Sequence, residues 1–286
     1  MSENENLNSK KIAFCFLTYK DIIGLNVWNQ FFKNIDTNKY TVYIHPKDNS
    51  LINLHEYQFP INIVKNKIST RSKTDISIVR ATLQLLKECY LENLGEENQP
   101  THYIFLSQSC IPLYNFETLY KIITKTDKSI ISYIQNNRKD RYYQIQRIPG
   151  GLVPKVDPLE YGACERLHSK LHQFINYPNF VKQQPNMILV KEDVEILINQ
   201  DLTPYFAGME CPDEHYFINI LLYVFRKKII KQQTHFCNPD LNKTQALEFT
   251  NINKLFIDNI RSKLFLFMRK VSNNSYIDIK YLLKTT

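Results

Sequence analysis

Glycine is scarce in this chain, with 6 residues in 286. No GxGxxG and no GxxxxGK[ST] run occurs. That removes both glycine-rich phosphate cradles, the dinucleotide fingerprint and the P-loop. Closely spaced cysteine pairs are also missing. The 6 cysteines lie at 15, 89, 110, 164, 211 and 237, none in a CxxC pair, which argues against a zinc knuckle. Cys15 and Cys110 fall in apolar runs and read as reduced, buried thiols. No apolar run reaches the ~18 residues a spanning helix needs, so no membrane span is expected. Residues 1–11 are polar and lack the apolar core of a signal peptide. A soluble, cytoplasmic protein is the expectation.

Aromatics, in contrast, are plentiful, with 18 Tyr and 17 Phe, and hydrophobic residues make up 43%, so a sizeable core is expected. The net charge of +8 favours phosphate-bearing partners: nucleic acid, an anionic membrane or a nucleotide-sugar. A lysine-rich solvated surface would account for the same charge. No internal repeat or low-complexity linker interrupts the chain. The expected organisation is a flexible tail over 1–10 and one domain over 11–286, with halves at 11–135 and 136–286.

Along the chain, the continuous apolar run 11–18 reads as a strand buried on both faces. Helical spacing follows over 21–33, then strands over 40–45 and 61–64. Residues 74–93 form a helical face through Ile76, Val79, Leu83, Leu86 and Tyr90. A strand at 102–106, a helix at 116–123 and a strand at 129–134 complete the alternation. This pattern predicts an α/β fold with a mostly parallel sheet. Ligands of such sheets gather at the carboxyl ends of the strands, here Thr18-Tyr19-Lys20, Pro46-Lys47-Asp48 and Ser107-Gln108-Ser109. Residues 136–183 have weak periodicity; Arg138, Arg141 and Arg147 lie beside Tyr142 and Tyr143, a mixture that can bind sugar, nucleic acid or phosphate. A strand at 186–190, a helix at 191–200, a strand beginning at 229 and a helix at 251–263 follow.

The stretch Cys211-Pro212-Asp213-Glu214-His215-Tyr216-Phe217 carries the most concentrated chemistry. Proline followed by acids and an apolar run predicts a helix opening, running to about Phe225, with both carboxylates at its N-terminal end. One of them could act as a base; both could equally serve only the helix dipole.

Six stretches, in order, resemble the core-2/I-branching β-1,6-N-acetylglucosaminyltransferases, glycosyltransferase family 14, which includes xylosyltransferases. Residues 12–19 resemble the family's first strand, and Tyr40-Thr-Val-Tyr-Ile-His45 its second, often "IHVD" or "IHPD". Phe105-Leu-Ser-Gln-Ser-Cys-Ile-Pro-Leu-Tyr-Asn-Phe116 is close to "LLSESCIPLYNF". Residues 184–190 resemble a degraded "GSQWF-x-L", with the pattern's tryptophan falling at about Asn186. Residues 212–217 match "PDEHYF", and Leu264-Phe-Leu-Phe-Met-Arg-Lys270 resembles "LFARKF".

The resemblance implies a GT-A-like, Rossmann-like sheet flanked by helices, and inverting transfer of a sugar from a UDP-sugar to a glycan hydroxyl. N-acetylglucosamine is the expected sugar, xylose the alternative. It also implies chemistry without a divalent metal, and this chain has no Asp-x-Asp. The motif match places the base at Glu214, with Asp213 and His215 as neighbours that orient it or bind nucleotide. It places Lys270 and the adjacent Arg269 at the donor diphosphate, with Lys243 and Arg261 as further candidates. Thr18, Tyr19 and Asp48 are candidates for the uridine or its ribose, and Ser107 and Ser109 for the donor wall. The expected partners are a UDP-sugar and a glycan or glycoconjugate acceptor, not nucleic acid. Two other readings stand beside this one: a basic nucleic-acid-binding protein, and an inactive family member that binds glycans.

Overall fold

A computed structural model describes residues 10–47, 52–71, 75–95, 99–135, 175, 179–207, 209, 211–237 and 247–284. The expected α/β architecture is what it shows. A six-stranded sheet has the order β3-β2-β1-β4-β7-β6. Its strands are β1 (Lys11–Thr18), β2 (Tyr40–Pro46), β3 (Asn62–Ile63), β4 (Pro100–Ser107), β6 (Ile130–Gln135) and β7 (Val181–Val190). β1, β2, β3 and β4 run parallel, and β7, between β4 and β6, is antiparallel to both.

β1 shows why a continuous apolar run becomes a central strand. Side chains alternate between faces, and here both faces are dry. Ala13 and Cys15 enter one core, while Ile12, Phe14 and Phe16 enter another. The first core is closed by α2 (Ser77–Glu92), α4 (Lys191–Asn199) and residues 216–221. The second is closed by α1 (Leu25–Phe32) and α3 (Phe116–Thr124). Much of the aromatic content is spent there. Trp28 packs edge-on against Phe16 at 5.1 Å and stacks with Phe32 at 5.7 Å. Its indole N–H donates to the Cys110 carbonyl at 3.0 Å. Cys15, Cys89 and Cys110 are buried free thiols, as expected for the first and last.

A third, smaller core lies under the C-terminal region. It holds β5 (Ile111–Pro112), β8 (His235–Phe236) and β10 (Phe267–Met268), which pair in the order β5-β10-β8. A parallel pair, β9 (Phe249–Ile252) with β11 (Val271–Ile277), and the helices α6 (Lys254–Arg261) and α7 (Ile279–Leu282) complete it. Gly24 sits where this region meets α1. Its φ is +73, and an added Cβ would stand 3.0 Å from the Ile111 side chain, so glycine is required there.

Outside the acidic stretch, three expected elements differ from the structure. β7 begins at Val181, five residues before the apolar signal, because its first half alternates with polar residues. Residues 229–230 make only an isolated bridge, Ile130 with Ile230. The helix expected at 251–263 is split: Phe249–Ile252 is strand, and Asn253 caps the helix by accepting from Phe256 N–H at 3.1 Å.

Candidate functional site

β1, β2 and β4 end at Thr18, Pro46 and Ser107, and antiparallel β7 begins at the same sheet edge. Gln108 stitches that edge together. Its side-chain oxygen accepts from Tyr19 N–H at 2.6 Å and Lys20 N–H at 3.2 Å, and its carbonyl accepts from Ile23 N–H at 2.8 Å. Thr18 is buried, and its hydroxyl finds no hydrogen-bond partner among the described residues. Tyr19 is 54% exposed, with the Lys47 ammonium 5.0 Å from its ring centre. Ser107 Oγ lies 3.5 Å from Ser109 Oγ and 3.2 Å from Cys110 Sγ. The structure thus brings Thr18, Tyr19, Ser107 and Ser109 together. Asp48 lies outside the described residues, as do Lys243, Arg138, Arg141, Arg147, Tyr142 and Tyr143.

The acidic stretch is anchored to the start of β7. β4 stops at Ser107, so the first residues of β7 lack a strand on that side, and buried backbone groups must find partners elsewhere. Asn219 supplies them. Its Oδ1 accepts from Val181 N–H at 3.0 Å and its Nδ2 donates to Val181 O at 2.8 Å. His215 Nδ1 reaches the same carbonyl at 3.1 Å, while its ring stacks on Phe180 at 4.9 Å. His215 is fully buried and serves this anchor.

The single helix expected from residue 212 is therefore a correction. Pro212–Glu214 is one 3₁₀ turn, Tyr216–Asn219 is a short α-helix, α5, and Ile220–Val224 is a π turn. His215, at φ −129 and ψ −32, separates the first two, because its ring is held by β7. A three-residue turn has little dipole for two acids to complement. Cys211, just before it, is in the left-handed region at φ 54, which costs a non-glycine residue about 1 kcal/mol.

Both acids face cations. Lys182, on β7, pairs with Glu214 at 2.9 Å. Asp213 is half-buried, and its Oδ1 has no hydrogen-bond donor among the described residues. Burial, then the charge of Glu214, pushes its carboxyl up to about 6, against the opposing pull of Lys182 and Arg269.

Arg269 approaches from the third core. Its N–H donates to Phe236 O at 2.8 Å, and the neighbouring Val271 N–H donates to Ser109 O at 3.0 Å, which fastens this segment to the end of β4. The guanidinium donates through Nη1 to Asn186 Oδ1 at 2.9 Å. Its charge, with burial as the larger cause, keeps His235 well below the usual histidine range and therefore neutral. Lys270 is exposed beside it. Arg261 is placed differently. Its Nε donates to Leu113 O at 2.7 Å and its Nη2 to Leu282 O at 2.6 Å, and the guanidinium lies over the Tyr114 and Tyr281 rings. It is committed to closing the third core rather than offered to a ligand. Three residues of the edge were not singled out from sequence: Gln108, Lys182 and the tether role of Asn186. Among the described residues, no three His, Cys, Asp or Glu side chains come together as a metal-binding set.

A family model described as "Core-2/I-Branching enzyme" matches residues 12–261. The chain belongs to the core-2/I-branching enzyme family. Among curated proteins, glycosyltransferase BC10 of rice, Oryza sativa subsp. japonica, is 22% identical over 151 residues, which is 52% of this chain and 34% of that protein. The chain thus covers about a third of the rice relative. Likeness to solved structures is weak. The WbbM bifunctional glycosyltransferase gives a TM-score of 0.39 at 10% identity, over 92% of this chain and 46% of that one. A 4-diphosphocytidyl-2C-methyl-D-erythritol synthase from Anaerococcus prevotii gives 0.32 at 13% identity, over 70% and 80%. In this core-2/I-branching member, the matched segment takes in all six strands of the central sheet, the acidic turn and its anchor. Among the described residues no helix is long and apolar enough to cross a membrane.

Proposed function

We propose that this chain is an inverting glycosyltransferase that moves a sugar, N-acetylglucosamine or alternatively xylose, from a UDP-sugar to a glycan hydroxyl without a divalent metal. The observation that carries the reading is the meeting of opposite charges at one sheet edge. The Glu214–Lys182 pair and Asp213 stand at the start of β7, and Arg269 is tethered a few residues along the same strand at Asn186. Family membership supplies the reaction class.

An inverting transfer needs two things: a base for the acceptor proton as its oxygen attacks the anomeric carbon, and positive charge for the departing diphosphate. Glu214 is the base. Lys182 fixes the direction of its carboxylate, and Asp213, a carboxyl poised near neutrality, shapes the field around it. Arg269 and the exposed Lys270 receive the diphosphate charge that a metal would otherwise neutralise. Thr18, Tyr19, Ser107 and Ser109 form the wall for the nucleoside, with Tyr19 offering an exposed ring for stacking.

The test is release of UDP from a panel of UDP-sugars, with glycoside acceptors, in EDTA. Turnover is expected to persist in the chelator and to fall by about 10²–10⁴-fold in Glu214→Gln. Normal turnover by that variant would remove Glu214 as the base. Dependence on added metal would overturn the metal-free chemistry.

A further inference from the structure

We infer that Asn186 is a positioning residue that aims Arg269 at the donor diphosphate without spending its charge; the inference rests on the donor-site reading above. Asn186 is 3% exposed, and its amide has one workable orientation. Nδ2 points toward Phe105 O at 3.5 Å and Cys110 Sγ at 3.6 Å, both of which accept. Oδ1 is thereby turned to Arg269 and accepts from Nη1 at 2.9 Å.

The chemistry of the tether decides what it can do. A guanidinium has five N–H donors. Asn186 uses one, and Arg269 Nε has no partner among the described residues. An aspartate at 186 would hold the same direction but would neutralise the cation. An amide directs it and leaves the full charge for an incoming anion.

The measurement is calorimetric titration of UDP and of uridine, in EDTA, on wild type, Asn186→Ala, Asn186→Asp, Arg269→Ala and the Asn186→Ala/Arg269→Ala double variant. Wild type should bind UDP more tightly than uridine. Asn186→Asp should lose about tenfold or more for UDP while uridine affinity stays. Asn186→Ala should lose several-fold for UDP, and nothing further once Arg269 is already alanine. A purely structural Asn186 would weaken UDP and uridine alike. If wild type prefers UDP and the Asn186 variants keep that preference, or if the double variant shows additive losses, the inference falls alone. If wild type shows no preference for UDP, the donor-site reading falls and the inference with it.

Discussion

Asp213→Asn is expected to make the protein more stable at neutral pH. The Asp213 carboxyl is raised from 3.8 to about 6, chiefly because burial disfavours its charged form. At about 1.36 kcal/mol per pH unit, ionising it inside the fold costs about 3 kcal/mol. The unfolded chain gives up this proton near pH 4 and the folded chain near pH 6. Below about pH 4 both states are protonated and the cost is absent. It grows as pH rises between the two values and is complete above the upper one. Asparagine is uncharged throughout and close to the shape of the neutral acid. Its amide hydrogens also need partners, which reduces the gain to about 1–3 kcal/mol at pH 7.5. At pH 4 the difference should shrink to well under about 1 kcal/mol. Urea unfolding of both proteins at the two pH values measures it. Greater destabilisation of the variant at pH 7.5 than at pH 4 would refute the reasoning: it would mean that the ionised carboxylate is held favourably by Lys182 and Arg269. A gain in stability with a loss of turnover would mark Asp213 as a residue kept at a cost to the fold.

Two further expectations follow from the anchors. Asn219→Leu leaves Val181 N–H without its side-chain partner and Val181 O with His215 alone, and should cost about 1–3 kcal/mol by chemical denaturation; a loss under about 0.5 kcal/mol would show that the start of β7 does not depend on it. Arg261→Ala removes two donors from buried carbonyl partners and the packing between two tyrosines, and should cost about 1–3 kcal/mol while leaving UDP affinity unchanged. Weaker UDP binding with unchanged stability would return Arg261 to the donor site.

How much could be read from the chain varied with the range of the interaction. β1 was legible because its apolar run has only one comfortable place, a strand with two dry faces. The same holds for α2, whose period is long enough to average out single polar residues. The start of β7 was not legible, because its polar alternation carries no burial signal; Gln183 and Asn186 are buried through partners elsewhere in the chain. The 211–217 stretch was misread as one helix for a related reason. Its local signals favour a helical start, but His215 is captured by Val181 O, 34 positions away.

The sequence by itself determined the α/β class, most strands and helices of the central sheet and the acidic stretch as the place to look, since these depend on periodicity and on short motifs. Only the tertiary structure decided which charges meet. Lys182 reaches Glu214 across the strand-to-turn contact, and Arg269 finds Asn186 from 83 positions away. It also took Arg261 away from the site and gave it to the C-terminal core. A lysine or arginine looks the same in sequence whether its charge is solvated, spent on backbone carbonyls or aimed at a cleft. The difference lies in the carbonyl, amide or carboxylate that the fold sets within about 3 Å of it.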